Sequence, residues 1–248
     1  MESVVFLLSI LFLVLLFITC GKKGFRLFFS LILTIVILIW VITPLIVSGH
    51  NPELVILLLG LPILLCIVYL TEGFTVLSHL SVLAIIFNFL IVTGLTHLSV
   101  SLANLTGLVS TDDSFLGLAG INLRQLLVAG IMLGTLGILT EMVITQIATV
   151  IEFVQASPDA SSKQIYKQSY TVGIAHLGSI INTLFLVYAG VSFPLLIIYA
   201  GGNSSLYNAL NYEPLVSEII RMLTGTIGLI IAMPTSTLLA VWWLKGRS

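Results

Sequence analysis

Glu141 is the residue of this chain with the clearest chemical potential, because it stands within about a turn of the midpoint of an apolar stretch covering residues 124–155. A charged acid at the centre of a lone membrane helix costs roughly 2.5–3.5 kcal/mol on insertion scales. Such a group is therefore expected to be protonated, paired or turned to an aqueous cavity, where it can bind a proton or a cation. At helical spacing Gly130, Gly134, Gly137, Glu141, Thr145, Ala148 and Glu152 share one face. That stripe of small and polar residues is expected to face protein and not lipid. The same pattern also suits a close helix contact in which Glu141 is only hydrogen-bonded.

A second polar stripe, His176, Ser179, Asn182 and Thr183, recurs at steps of three and four. His176 could relay protons toward a site holding Glu141, or sit at the level of the lipid headgroups. Asn182 lies deeper. Further along, Glu218 and Arg221 are spaced i, i+3 and can form a structural ion pair near Glu213. Gly225, Gly228 and Pro234 with Thr235 allow close packing and a local backbone break.

The elements that carry these residues follow from composition. The chain has 248 residues, 58% of them hydrophobic and 8% charged, with a mean hydropathy of +1.21. A soluble domain carries about a quarter charged residues, so the bilayer is the solvent here. Apolar stretches near the ~20 residues needed to cross a membrane cover 4–20, 27–47, 54–70, 80–101, 124–155, about 173–199 and 215–244. The reading is an all-α polytopic bundle of about seven spans forming a single transmembrane domain over residues 1–248. Residues 4–53 form a first helical hairpin and 54–248 the core. Residues 102–123, with Asp112 and Asp113, read as a loop or interfacial segment. Residues 157–172 read as an amphipathic interfacial helix capped by Ser161 or Ser162. Pro194 either kinks the sixth span or ends it.

Charge sets the orientation. Glu2 precedes the first apolar stretch and Lys22, Lys23 and Arg26 follow it, the reverse of a signal peptide. Seven spans with the amino terminus outside put seven of the nine Lys and Arg residues, with Lys163, Lys167, Lys245 and Arg247, on the cytoplasmic side. The net charge of -1 suggests no nucleic-acid partner; membrane lipid is the expected surrounding. Cys20 and Cys66 read as packing residues, no metal or cofactor site is expected, and no GxxxxGK[ST], HExxH or GxSxG is present. An enzyme is the least expected reading.

The carboxyl-terminal part, about residues 54–244, resembles the YibE/F family of multi-pass bacterial membrane proteins. The resemblance is carried by Glu72-Gly73-Phe74, by Gly130, Gly134 and Gly137 leading into Glu141 and Thr145-Gln-Ile-Ala148, by Asn182-Thr183, Tyr188-Ala-Gly190 and Pro194, and by Glu213, Glu218, Arg221, Gly225, Gly228 and Pro234. It implies a multi-pass protein of the bacterial inner membrane, for which a permease role is usually supposed. Where family members carry Met-Asp, this chain has Thr140-Glu141, which keeps the acid and lengthens its arm. Longer members carry an extracytoplasmic domain after the first helix, whereas only residues 21–26 intervene here. The chain therefore resembles the short type, which implies pairing with a longer relative, and association with itself is the other expectation.

Overall fold

The reversal at Gly21 explains how the first apolar segment can cross twice. The computed structural model describes residues 2–108, 120–201, 208 and 211–246. Helix α1 (Glu2–Ile37) runs through Gly21 at φ 52°, ψ -128°, which is not helical. Only glycine occupies such a conformation at little cost. The chain folds back there: a Cβ placed on Gly24 would lie 2.7 Å from the Leu16 carbonyl oxygen, and the Phe17 and Phe28 rings are 6.1 Å apart. Val5, Leu8 and Phe12 of one leg and Phe28, Ile32 and Ile35 of the other line a common groove. The second leg continues through a π-helical turn (Leu38–Ile42) into α2 (Thr43–Val47). There Pro44 supplies no backbone N–H, and the Thr43 hydroxyl donates to Leu38 O at 2.9 Å.

The remaining elements are α3 (Pro52–Glu72), α4 (Val76–Leu102), α5 (Leu123–Ala156), α6 (Ser162–Val191), α7 (Phe193–Gly201) and α8 (Glu213–Lys245). Four of the long helices open on a side chain that accepts from an otherwise unpaired backbone N–H. These are Asn51 to Glu53, Thr75 to Ser78, Asn122 to Gln125 and Ser161 to Gln164. Among the described residues six helical stretches are long and apolar enough to span a membrane, the first being Ser3–Val47. With that stretch doubled back at Gly21, the bundle has the seven crossings read from the sequence.

One expectation changes and one open alternative is resolved. Residues 162–172 are not a separate interfacial helix; they are the first turns of α6, which runs unbroken from its Ser161 cap to Val191. The sixth span does not pass Pro194. It ends at Ser192, and α7 follows with nine residues, about 13 Å at the helical rise and too short to cross. Asp112 and Asp113 lie outside the described residues, as does most of the 201–214 loop.

Helices α4, α5 and α8 form the centre, with α3 against α5 and α6 against both α5 and α8. Their contact is close because Gly228 of α8 abuts α4: a Cβ there would meet Val92 Cγ2 at 2.6 Å. Ile131, Leu139, Val143 and Ile147 of α5, Phe89 of α4 and Ala232 of α8 are fully buried. Large apolar side chains such as Trp40, Leu58, Leu186 and Trp242 are exposed on the outside, as expected of a surface wetted by acyl chains.

Apart from Glu141, the charged residues of the described spans sort toward the helix ends. Lys22, Lys23, Arg26, Lys163, Lys167 and Lys245 lie at one end, where Arg26 reaches Gly73 and Lys245 donates to the Pro158 carbonyl. Arg124 and Arg221 lie toward the other, with Glu53, Glu213 and Glu218. The basic end is the one that the positive-inside rule assigns to the cytoplasm.

Candidate functional site

The buried face of α5 is built around Gln146, which is 1% exposed. Its Nε2 donates to Ser169 O of α6 at 3.1 Å and to the Thr237 hydroxyl of α8 at 2.8 Å. The Thr237 hydroxyl in turn donates to Met233 O at 2.7 Å. Gly173 makes room for this amide, since a Cβ there would stand 2.5 Å from Gln146 Oε1. One side chain thus ties three helices together inside the bundle, where an unpaired amide would cost several kcal/mol. A second buried amide, Asn88 of α4, donates to Ala84 O at 2.8 Å, and its Oδ1 accepts from the Thr235 hydroxyl at 2.9 Å. Pro234 breaks the helical ladder just before Thr235, and the Thr235 hydroxyl stands equally close to Ile231 O, so it serves one acceptor at a time.

Glu141 is on the other face. At about 100° per residue it lies half a turn of the helix from Leu139 and Val143, both fully buried against the core. Glu141, Thr145, Gly134 and Gly137 are exposed, Gly130 and Ala148 half-buried. Added Cβ atoms on Gly130 and Gly137 would meet nothing within 4 Å, and one on Gly134 would meet only the Tyr188 hydroxyl, at 3.5 Å. Apart from the contact of Gly134 with Tyr188, the stripe therefore faces away from the described helices. The expectation that the stripe faces protein is not met within one chain among the described residues, because α5 packs on α4, α8 and α6 through its opposite face and one flank.

The α6 residues divide similarly. The contacts of Gly134 with Tyr188 and of Gln146 with Gly173 set an antiparallel register that brings Glu141 level with residues 179–181. Ser179, Asn182 and Thr183 are exposed, and Asn182 lies about 200° around α6 from buried Ile180. No hydrogen bond or ion pair joins Glu141 to them among the described residues. The hydroxyls of Thr145 and Thr183 donate to the carbonyls of Glu141 and Ser179. His176 is half-buried with its Nε2 enclosed.

The Glu218 carboxylate and Arg221 guanidinium pair at 3.6 Å, both partly exposed, with Tyr188 of α6 within electrostatic reach of the two. Gly225 faces Leu184 at 3.6 Å, so it and Gly228 serve packing inside the bundle.

Two constellations joining distant parts of the sequence escaped the reading. The Glu213 carboxylate accepts from the Thr106 and Gly107 backbone N–H groups, at 2.5 and 2.7 Å, and from the Thr106 hydroxyl, which fixes the chain leaving α4 to the start of α8. Nearby, Glu53 lies 3.3 Å from His97, an ion pair when His97 is protonated. They share a cleft of about 340 Å³ with Ser101, Asn122, Arg124 and Gln125. Only the Asn-Pro-Glu opening of α3 hinted at either. No cluster of three or more metal-ligating side chains occurs among the described residues.

No curated protein and no solved structure matches the chain. The model of a protein family described as YibE/F-like protein matches residues 8–246, taking in the amino-terminal hairpin as well as the core, and the chain belongs to that family.

Proposed function

We propose that this chain is a subunit of a permease of the bacterial inner membrane that moves a small solute or ion, with Glu141 as the acid that binds a proton or cation. The observation that carries the reading is the position of Glu141: mid-helix, on a stripe of small residues that the chain's own helices leave uncovered. A carboxyl group set against acyl chains is penalised. A second YibE/F-type chain, or a second copy of this one, laid on the α5 stripe would give Glu141 a polar or hydrated setting and close a path between the two chains. Thr145, Asn182, Thr183 and His176 are the polar groups nearest such a path.

The second reading is a non-transporting scaffold that assembles a larger family partner. It is favoured by Gly130 and Gly137, whose open Cα faces suit close helix packing whatever Glu141 does. Reconstitution of the purified complex into vesicles with Glu141→Gln as the variant separates the readings. A permease loses coupled flux while the complex stays intact, and a scaffold loses its partner while no solute moves in the unaltered protein. Full coupled flux in Glu141→Gln removes Glu141 from the mechanism.

A further inference from the structure

Around Gln146 several buried polar atoms find no hydrogen-bond partner among the described residues. Ser169 Oγ is on the residue whose carbonyl accepts from Gln146, and Ser236 Oγ is on the neighbour of Thr237, which Gln146 also reaches. His176 Nε2 is three residues from Gly173, against which Gln146 packs. Ser169 and Ser236 are both 0% exposed. These three orphaned atoms thus belong to residues that touch the amide or stand within one helical turn of a residue that does, at the junction of α5, α6 and α8. Other buried hydroxyls, those of Ser81, Thr93, Ser192, Ser217 and Thr226, also lack a partner among the described residues, whereas those of Thr96, Thr135 and Thr140 donate to the carbonyl four residues earlier; the junction differs in gathering two such hydroxyls and an imidazole nitrogen about one amide. The fully enclosed atoms are out of reach of a partner chain, and acyl chains offer no hydrogen bonds. A ligand that satisfies them must be very small and able both to donate and to accept.

We infer that the α5–α6–α8 junction is a hydration site, in which a few ordered water molecules bridge Gln146, Ser169, Ser236 and His176 within the basic half of the bundle. Buried waters typically make about three hydrogen bonds to such groups, and removing them is costly. The site lies across α5 from the Glu141 stripe, shares only His176 with the groups named for the proposed path, and holds whether or not the protein is a permease. It makes the junction a polar, water-accessible interior in a bundle otherwise packed with aliphatic side chains.

The test uses the full chain in detergent with Cys20→Ala and Cys66→Ala as background, adding Ser236→Cys or Ser169→Cys. Ala240→Cys is the control, since it is 0% exposed on the same helix but belongs to the apolar core. Infrared spectroscopy of the S–H stretch on transfer to D2O reads water access. The expected result is exchange to S–D at least ten-fold faster at 236 and 169 than at 240, with the S–H band shifted by hydrogen bonding. Equal, slow exchange at all three positions overturns the inference and leaves a dry junction in which each serine hydroxyl turns back on its own helix. Ser236→Ala and Ser169→Ala give an independent reading. Removing an orphaned hydroxyl from a dry junction raises the melting temperature, whereas removing one that binds water lowers it or leaves it unchanged; a rise in both variants counts against the site. Cysteine variants that do not purify as monodisperse protein are replaced by these alanine variants, so a folding failure does not protect the claim.

Discussion

The two faces of α5 carry similar residue types and treat them in opposite ways. On the inner face Gln146 is held by a carbonyl of α6 and a hydroxyl of α8, and Thr135 packs beside Gly225 and Gly228. On the outer face Glu141 has no partner among the described residues, and Gly130 and Gly137 have open space beside them. Polarity turned inward welds helices together, because an unpaired amide in a low-dielectric interior is expensive. Polarity turned outward does nothing for the isolated fold, and its presence in a membrane protein has to be explained by what lies outside the chain.

Matched glycine substitutions give the largest expected contrast. Gly228→Leu should prevent recovery of folded protein, since even a methyl group there overlaps Val92. Gly137→Leu should leave the melting temperature of the single chain within a degree or two of the parent. If Gly137→Leu is as damaging as Gly228→Leu, the two faces are not distinct and the stripe is buried by the chain itself. Phosphatase fusions set which end of both faces meets the cytoplasm: a fusion at Ser248 should be inactive and one between 202 and 210 active, and the reverse pattern inverts the orientation.

A smaller effect is expected at Gln146. Gln146→Ala removes two hydrogen bonds and leaves a cavity, at a cost of about 2–4 kcal/mol in unfolding experiments. Gln146→Leu should cost less, because it refills the space and the Thr237 hydroxyl keeps Met233 O as acceptor. An equal cost for both would mean that the amide's hydrogen bonds, and not its volume, hold the junction. The smallest effect belongs to Glu218→Gln. That pair is partly exposed and 3.6 Å long, so its loss should change stability by less than about 1 kcal/mol; a larger change would show that Arg221 depends on it for its position near Tyr188.

Local signals in the sequence carried the helices well. Ser161 caps α6 as its place before the basic segment suggests, the Glu218 and Arg221 pair follows from i, i+3 spacing, and apolar length with the Lys22–Arg26 cluster marks the first reversal. Helical periodicity also places Glu141 and the glycines on one face. What periodicity lacks is direction: it groups residues on a stripe but does not say whether the stripe meets the same chain, another chain or lipid, since apolar residues flank it on both sides. Contacts such as Gln146 with Thr237, 91 residues apart, and Glu213 with Thr106, 107 apart, depend on how helices are ordered in space, and one sequence carries no local trace of that. The joining of residues 162–172 to the sixth span was missed for a related reason. An amphipathic start reads as interfacial, yet Ile165 and Ser169 are buried because α6 already lies against its neighbours there.

The one-residue reversal at Gly21 bears on how the protein is made. Two helices joined without a loop have no slack, so the first cannot settle across the bilayer while the second waits in water. Such a pair is expected to enter together during synthesis, with Lys22 and Lys23 at the tip on the side that the positive-inside rule assigns to the cytoplasm. The commitment to insert then belongs to a 45-residue unit and not to its first 20 residues. Lengthening the tip with a few flexible residues should therefore alter the timing of insertion before it alters the finished fold.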